Sequence, residues 1–346
     1  MSNEVLRNVL ARLTRGENLS RREANQLLDG LLDGEATEAQ IAAVLIALKL
    51  KGETVEELAG LAEGMRARAV RITSLHERFI DTAGTGSSCV KTFNVSTAAA
   101  FVIAGAGLPV AKHGNRAASS RCGSADVLAA LGVNVSATPK SSEKCLNEIG
   151  ICFMFAPLYH GATGRVAGIR RELGVQTTFN LLGPLTNPAS APRQIIGVSD
   201  RKFVEPVARA LALLGTERAW VVHGADGLDE ITIAEKTFVA EAGNGEVKIF
   251  EIGPEAFGVE RATLDGLAGG DAEGNAAIIR DVLSAARRDQ ARTLVVVNAA
   301  AALHVGGAAD DLPAGAQLAD HSIDSGAAYR MLEQLIGVTN KSEEQG

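Results

Sequence analysis

The sequence predicts an α/β protein in which a small N-terminal helical domain packs beside a large α/β domain with a mostly parallel central sheet. Up to about residue 70 the chain carries four amphipathic helical stretches and no strand pattern, whereas from residue 79 short apolar runs alternate with helical stretches. The length of 346 residues also suits two domains. We therefore predict a helical domain over residues 1–72 and an α/β domain over residues 73–346.

The N-terminal stretches carry clear helix-start signals. Ser20, Thr37 and Thr54 are each followed three residues later by Glu or Gln, a spacing at which the two side chains accept each other's otherwise free backbone N–H groups. A bundle of four short helices buries little surface by itself. We therefore expect it to pack on the larger domain or on a second subunit, and to be joined there by helices near residues 165–190.

Six apolar runs are predicted as strands of the α/β domain. They cover residues 79–84, 108–114, 151–155, 195–199, 220–224 and 293–298, with helical patterns at 95–106, 123–131, 202–214 and 274–288. This alternation is typical of a parallel sheet flanked by helices.

Residues 92–111 are uncharged over a length that spans a bilayer, but polar residues, glycines and Pro109 interrupt them. We interpret them as a buried helix that leads into a buried strand, and we predict no membrane partner.

Charge and cysteine content restrict the function classes. The net charge of −7 offers no general field for a polyanion, so we predict no nucleic-acid partner. The four cysteines at 89, 122, 145 and 152 form no CxxC pair, which disfavours a zinc site or a disulfide framework. The first twenty residues alternate charged and apolar residues without the apolar core of a signal peptide. A reducing, cytoplasmic location is therefore expected.

A glycine loop follows the first predicted strand and could bind phosphate through its backbone N–H groups. Residues 81–88 read Asp-Thr-Ala-Gly-Thr-Gly-Ser-Ser. Cys89 stands where a dinucleotide fingerprint needs glycine, and Val90 precedes the lysine where a Walker loop needs glycine, so neither motif is present. Alone, the loop could equally be a tight turn.

Two further segments supply donors for the same kind of ligand. Residues 94–97, Asn-Val-Ser-Thr, open a helix, where they could act as simple caps or direct the positive helix end at a phosphate. Residues 112–126 combine Lys112, Arg116 and several Gly and Ser residues after a strand, in a loop that could also be merely solvated. Three such loops at the carboxyl ends of strands favour a polyphosphate site at one sheet edge.

An acidic pair follows the strand at 220–224. Asp229 and Glu230 would be ordinary surface charge in isolation, but a phosphate-bound Mg²⁺ needs only one or two protein carboxylates. Beside phosphate-binding loops, the pair is therefore predicted to hold Mg²⁺.

Taken in order, these segments resemble the anthranilate phosphoribosyltransferase family, which belongs to the nucleoside-phosphorylase-like (class IV) transferases. The matching segments are 84–86, 92–97, 112–116, 123–128, 170–174, 179–188, 226–230 and 298–303. The resemblance implies a homodimer formed through the helical domain and a Mg²⁺-dependent reaction. In that reaction phosphoribosyl pyrophosphate donates its ribose to the amine of anthranilate, giving N-(5-phosphoribosyl)anthranilate and pyrophosphate.

The resemblance also implies roles for individual residues. Magnesium would be held by Ser96, Asp229 and Glu230, and anthranilate would be received by Gly84, Asn115, Arg170 and His113. The donor would be bound by Gly84, Ser87, Ser88, Thr92, Asn94, Val95, Ser96, Thr97, Lys112, Ser119, Ser120 and Ser124. We predict no single essential base, because an aromatic amine already has a lone pair to offer; His113 is expected to bond to or stack near the acceptor.

The chain departs from the family pattern at two places. Ser87 and Ser88 stand where the family usually has Gly-Asp, and residues 161–163 read Gly-Ala-Thr where Pro-Ala-Met is common. The first departure removes one acid near the donor, and the second alters the entrance for the acceptor. Two alternatives stay open: a pyrimidine nucleoside phosphorylase of the same fold, and a non-catalytic relative that binds nucleic acid or a regulatory partner.

Overall fold

The computed structural model describes residues 3–86, 88–117 and 121–341. Its N-terminal part consists of the four predicted helices, α1 (Asn3–Thr14), α2 (Arg21–Leu32), α3 (Glu38–Lys51) and α4 (Val55–Arg68). Ser20, Thr37 and Thr54 each form a capping box at the start of α2, α3 and α4. The helix-start signals in the sequence are therefore confirmed.

The larger part of the chain is built on one seven-stranded sheet. Its strands are β1 (Ile80–Gly84), β2 (Val110–Gly114), β3 (Ile151–Phe155), β4 (Arg193–Gly197), β5 (Arg218–Gly224), β6 (Thr237–Gly243) and β7 (Glu246–Ile252). They lie in the order β3-β2-β1-β4-β5-β6-β7. β1 to β5 are parallel, and β6 and β7 are antiparallel. The mostly parallel sheet is therefore confirmed.

Helices surround this sheet and connect its parallel strands. They are α5 (Val95–Gly105), α6 (Ser124–Ala130), α7 (Pro139–Ile149), α8 (Ala156–Tyr159), α9 (Gly164–Leu173), α10 (Thr178–Leu185), α11 (Val204–Leu213), α12 (Ala272–Leu283), α13 (Gln290–Val305), α14 (Leu312–Asp324) and α15 (Ala327–Thr339). Short 3₁₀ turns lie at Gly161–Thr163, Arg201–Phe203 and Pro254–Phe257. The uncharged stretch 92–111 becomes α5 and the start of β2, as predicted. Within the described part of the chain, no helix has both the length and the apolar content that crossing a bilayer requires.

One predicted strand is wrong, and two strands were missed. Residues 293–298 lie inside α13, whose side chains are buried on nearly every face. A helix that is apolar all round has no 3.6-residue period, so a short window of it reads like a buried strand. The missed strands β6 and β7 form an antiparallel hairpin. No residue of β7 is fully buried and Glu241 interrupts β6, so neither strand shows a continuous apolar run.

The helical bundle shares its core with the α/β domain. Its buried side chains form one cluster with residues of α9, α10 and α11 and with one face of β4 and β5. A second, larger cluster covers the other face of the sheet, where α5 and α13 pack. The small helical domain beside the α/β domain is thereby confirmed; the exact boundary at residues 72/73 stays a prediction.

Candidate active site

The loops that follow β1, β2 and β5 meet at the carboxyl edge of the sheet. The backbone N–H of Ser96, in the first turn of α5, donates to Oε1 of Glu230 over 3.2 Å. Nζ of Lys112, on β2, lies 3.4 Å from Oγ of Ser96. Nδ2 of Asn94 donates to the carbonyl of Cys122 over 3.4 Å. We call the described residues of these loops, 84–86, 88–97, 114–117, 121–126 and 225–231, together with Lys112, the donor side.

Lys112 is the cation at the centre of the donor side. Its side chain is buried on β2, and Nζ donates to the carbonyl oxygen of Thr82 and, over 3.3 Å, to its hydroxyl. Burial lowers the pKa of Lys112, and the carboxylates of Asp81 and Glu230 act in the opposite direction. The lysine is therefore held between two acidic side chains, those of Asp81 and Glu230.

The loop that carries Asp229 and Glu230 is clamped in place. Oδ1 of Asn298, on α13, accepts from the N–H of Ile231 over 3.0 Å, and its Nδ2 donates to the carbonyl of the same residue over 2.9 Å. A Cβ added at Gly197, at the end of β4, would overlap the carbonyl oxygen of Asp229. The acidic loop thus lies directly against the β4 backbone, which only glycine permits.

The oxygen atoms around this loop are the kind of ligand that Mg²⁺ prefers. Ser96, Asp229 and Glu230 offer oxygen atoms only, which hard cations prefer. Burial raises the pKa of Glu230, and repulsion from Asp229 raises it further. A divalent cation would relieve both effects. Among the described residues no group of three or more His, Cys, Asp or Glu side chains could hold a metal, so any ion here would depend on phosphate oxygens for its remaining ligands.

The glycine loop after β1 is tied to β4. The N–H of Thr85 donates to the carbonyl of Gly197 over 2.9 Å, and Gly86 has a φ of +63°, a left-handed conformation that favours glycine. Gly84 is exposed at the end of β1. Oγ of Ser88 donates to the carbonyl of Val90 over 2.6 Å and so closes its own loop. Ser87 lies outside the described residues.

The start of α5 departs from an ordinary cap. Asn94 occupies the cap position, but its side chain makes no cap hydrogen bond and instead accepts from Nδ2 of Asn275 over 2.9 Å. Val95 contributes core packing, and its N–H donates to the carbonyl of Phe93. Oγ1 of Thr97 is buried and has no partner among the described residues. The start of α5 therefore leaves the Thr97 hydroxyl unused, whereas the N–H groups of Val95, Ser96 and Thr97 are already bonded within the protein.

The loop after β2 folds back on itself. Asp126, in the first turn of α6, accepts from the N–H groups of Ala117 and Gly123 over 3.0 and 2.9 Å. Oγ of Ser124 donates to the carbonyl of Asn115 over 3.3 Å, and the exposed Asn115 side chain accepts from the N–H of Arg116 over 2.8 Å. Thr92 is half-buried at the opposite end of the glycine loop. Ser119 and Ser120 lie outside the described residues.

Arg170 lies in the last turn of α9 and has no counter-ion among the described residues. Its Nη2 donates to Oδ1 of Asn180 over 3.0 Å, and its guanidinium lies 5.5 Å from the ring centre of Phe179. Nε is buried and finds no partner in the described part of the chain. Burial alone lowers the pKa of Arg170. A half-buried, uncompensated cation is costly unless a ligand supplies the missing anion.

His113 and Arg170 both bond to α10. Nδ1 of His113 lies 3.2 Å from the carbonyl of Gly183, three residues after Asn180. A carbonyl only accepts, so Nδ1 carries the proton and Nε2 offers a lone pair. Nε2 is buried without a partner among the described residues, as is Nε2 of His160, whose ring centre lies 5.2 Å away. Burial lowers the pKa of His113 to about 3, so the ring is neutral. We call Arg170, His113, His160 and Asn180 the acceptor side.

Sequence reasoning missed three residues of this region. Asp81 is fully buried beside Lys112 and accepts from the N–H of His113, His160 faces His113, and Asn180 holds Arg170. The strand pattern at 79–84 placed Asp81 at an apolar position, and a charged residue there is the one signal that could have singled it out. The other two depend on contacts between distant segments.

Comparison with known proteins agrees with this arrangement. The family models described as "Glycosyl transferase family, helical bundle domain" and "Glycosyl transferase family, a/b domain" match residues 7–69 and 76–329. The anthranilate phosphoribosyltransferase of Moorella thermoacetica is 52% identical over 332 residues, covering 96% of this chain and 98% of its own length. That of Rubrobacter xylanophilus is 49% identical over 342 residues, covering 99% and 100%.

Solved structures give the same result. The anthranilate phosphoribosyltransferase of Thermus thermophilus superposes with a TM-score of 0.90 at 40% identity, covering 95% of this chain and 98% of that one. The enzyme of Saccharomyces cerevisiae in complex with PRPP and Mg superposes with a TM-score of 0.88 at 28% identity, covering 98% of both chains. Because relatives about 50% identical cover nearly the whole of this chain and of their own length, the chain belongs to the anthranilate phosphoribosyltransferase family.

Proposed function

We propose that this chain transfers the 5-phosphoribosyl group from phosphoribosyl pyrophosphate to the amine of anthranilate, and that the two sides of the site bind the two substrates separately. The observation that carries the proposal is the guanidinium of Arg170, which is half-buried, lacks a carboxylate partner among the described residues and bonds to the same helix, α10, as the neutral imidazole of His113. Anthranilate supplies both complements, a carboxylate for Arg170 and an amine for His113. The family relatives carry the same activity in their names.

On the donor side, phosphates are bound mainly by backbone N–H groups, hydroxyls and Lys112. Gly84, Ser87, Ser88 and Thr92 would line the glycine loop. The others, Asn94, Val95, Ser96, Thr97, Lys112, Ser119, Ser120 and Ser124, would surround it from the start of α5 and from the β2 loop. The convergence of Ser96, Lys112 and Glu230 within hydrogen-bond distances supports this grouping. The positive end of α5 adds to the attraction for a polyanion.

Ser96, Asp229 and Glu230 are the residues that would hold Mg²⁺. Bound there, the ion would stabilise negative charge on the leaving pyrophosphate. Lys112 contributes a fixed positive charge to the same end of the donor, in a buried position where water screens it little. The protein therefore promotes departure of pyrophosphate chiefly by electrostatics.

On the acceptor side, Arg170 holds the carboxylate and His113 accepts a hydrogen bond from the amine at Nε2. Gly84 and Asn115 stand at the junction with the donor side, where the two substrates would meet. Orienting an amine at attack distance contributes on the order of 7–11 kcal/mol to catalysis, so a strong base is not needed. With its pKa near 3, His113 aligns the amine rather than retaining its proton.

The direct test is a fluorescence assay that follows loss of anthranilate with phosphoribosyl pyrophosphate and Mg²⁺. Arg170→Ala is expected to lower kcat/KM for anthranilate at least ~100-fold, because it removes the positive charge that faces the carboxylate. Arg171→Ala is the matched control. It removes an exposed arginine from the same turn of α9 and is expected to leave kcat/KM within ~2-fold.

Three results would contradict the proposal. Equal losses in the Arg170 and Arg171 variants would mean that charge near α9 acts only at long range. No consumption of anthranilate, with donor binding intact by calorimetry, would point to a different acceptor. Turnover that does not depend on Mg²⁺ would remove the assigned role of Ser96, Asp229 and Glu230.

We further propose that the chain forms a homodimer through residues 1–72 together with helices near 165–190. Val5 on α1, Leu50 on α3 and Val175 after α9 are apolar yet 45%, 81% and 44% exposed, and an interface through these helices would bury them. Sedimentation at micromolar concentration is expected to give twice the chain mass; monomer alone would contradict the dimer.

The cysteines bear on the location of the protein. Four cysteines without a disulfide support a reducing, cytoplasmic location.

A further inference from the structure

We infer that Asn180 is a positioning residue that holds Arg170 in its binding orientation while leaving the guanidinium charge uncompensated. Through that charge, Asn180 selects acceptors that carry a carboxylate. The inference rests on the proposed function, in which Arg170 binds the acceptor, and concerns a residue to which neither the sequence nor the family resemblance gave a role.

The geometry fixes Asn180 tightly. It stands in the first turn of α10, where Oδ1 accepts from the backbone N–H of Thr177 over 3.1 Å and from Nη2 of Arg170 over 3.0 Å. Both partners are donors, so the oxygen of the amide must face them. One side-chain atom therefore joins the start of α10 to the arginine on α9.

The same helix holds the other half of the acceptor side. The carbonyl of Gly183, one helical turn after Asn180, faces Nδ1 of His113 over 3.2 Å. The start of α10 is itself anchored to the helical bundle, because Oγ1 of Thr178 donates to Oε1 of Glu53 over 2.5 Å. The helix thus sets the separation between the cation that faces a carboxylate and the imidazole that faces an amine.

The chemistry of the amide matters as much as its position. An aspartate at 180 would accept the same two hydrogen bonds and would favour the helix start more strongly, since negative charge is stabilising there. It would also neutralise Arg170 in a half-buried site before any substrate arrives. An uncharged acceptor orients the guanidinium and leaves its full charge for the ligand. Helix capping alone would therefore favour aspartate at position 180, whereas binding of an acceptor's carboxylate by Arg170 favours the neutral asparagine.

The discriminating variant is Asn180→Asp, with Asn18→Asp as matched control. Oδ1 of Asn18 likewise accepts from a cation, Nζ of Lys51 over 3.1 Å, but Asn18 lies in the loop between α1 and α2. Calorimetry on the full chain would measure Kd for anthranilate, for neutral 2-aminobenzamide and for phosphoribosyl pyrophosphate with Mg²⁺. Asn180→Asp is expected to raise Kd for anthranilate at least ~30-fold, with donor Kd within ~2-fold. The preference for anthranilate over 2-aminobenzamide should fall by a similar factor.

The outcomes separate the alternatives. Unchanged binding of anthranilate in Asn180→Asp would show that Asn180 only caps α10, and equal weakening of both anthranilate and donor would show general damage; either overturns the inference. If that variant does not fold, Asn180→Ala decides: about fivefold weaker anthranilate binding with the preference over the amide retained is expected, and no change overturns the inference. If wild type turns over no anthranilate, the proposed function fails instead.

Discussion

The donor side and the acceptor side differ in whether their cation has acidic side chains beside it. On the donor side Lys112 is surrounded by Asp81 and Glu230, and the acidic loop touches the first turn of α5. On the acceptor side Arg170 meets a neutral amide and an aromatic ring, and two histidine nitrogens nearby have no partner among the described residues. On the donor side the cation already has acidic side chains beside it, whereas on the acceptor side Arg170 has no anionic partner among the described residues.

This difference follows from the ligands that each side is proposed to bind. A polyphosphate brings several charges and a cation, and it can be bound by many weak donors without any one being indispensable. A small aromatic acid brings one carboxylate and one amine, so a single cation must carry the recognition. We therefore expect backbone changes to disable the donor side, whereas side-chain changes disable the acceptor side.

The largest effect is expected from Gly197→Ala. The added Cβ would overlap the backbone of Asp229 and force the acidic loop away from β4. Donor binding with Mg²⁺ should weaken at least ~100-fold, because clashes with backbone are relieved only by moving it. Gly161→Ala is the control, since a Cβ there meets nothing within 4 Å. Calorimetry with phosphoribosyl pyrophosphate and Mg²⁺ checks both; equal affinities would contradict the tight approach of the two backbones.

A smaller effect is expected on the pH dependence of the free energy of unfolding, through His113 on the acceptor side. Burial lowers the pKa of His113 to about 3, so the neutral ring stabilises the fold above its unfolded pKa near 6.5, and that stability is lost as the pH falls below it. Between pH 7 and pH 5 the loss is about 2 kcal/mol for this residue.

Urea unfolding at the two pH values measures it. In His113→Gln the difference between the free energies of unfolding at pH 7 and pH 5 should shrink by about 2 kcal/mol. In the control His321→Gln, which removes an exposed histidine on α14, the difference should stay as in wild type. If both variants behaved alike, His113 would not be buried in its neutral form.

The smallest effect is expected at Cys122, which lies on the donor side but faces inward. Its Sγ donates to Oδ1 of Asn94 over 3.4 Å, and burial raises the pKa of the thiol. Iodoacetamide should therefore label the exposed Cys89 first, and Cys122→Ser should keep kcat/KM within ~3-fold. Mass spectrometry of the labelled chain and the fluorescence assay check the two statements; rapid labelling of Cys122 in native protein would contradict the first.

Much of the donor side could be predicted from the sequence, because parallel strands bring their carboxyl ends to one edge of the sheet. Gly84, Asn94, Lys112 and Asp229 were placed there for that reason. Their detailed partners could not be predicted. The bond from Asn275 to Asn94 and the close approach of Gly197 to Asp229 join segments far apart in the chain. The sequence pattern of neighbouring residues does not predict contacts between segments so far apart.

The acceptor side was less predictable for a related reason. Arg170 and His113 were singled out through resemblance, but nothing local in residues 156–160 or 177–183 indicates that they surround these two side chains. The strand predicted at 293–298 failed because the buried α13 has no polar face to reveal its period. Burial on all sides removes the very signal on which sequence reasoning depends.

The central claim is that the two sides bind different substrates independently, one through backbone groups and Lys112 and the other through Arg170. Calorimetry with both ligands on both variants tests it most directly. Arg170→Ala is predicted to weaken anthranilate binding at least ~50-fold and to leave binding of phosphoribosyl pyrophosphate with Mg²⁺ within ~3-fold. Gly197→Ala is predicted to do the reverse. If either variant weakened both ligands equally, or if the losses were exchanged, the division of the site into a donor side and an acceptor side would be wrong.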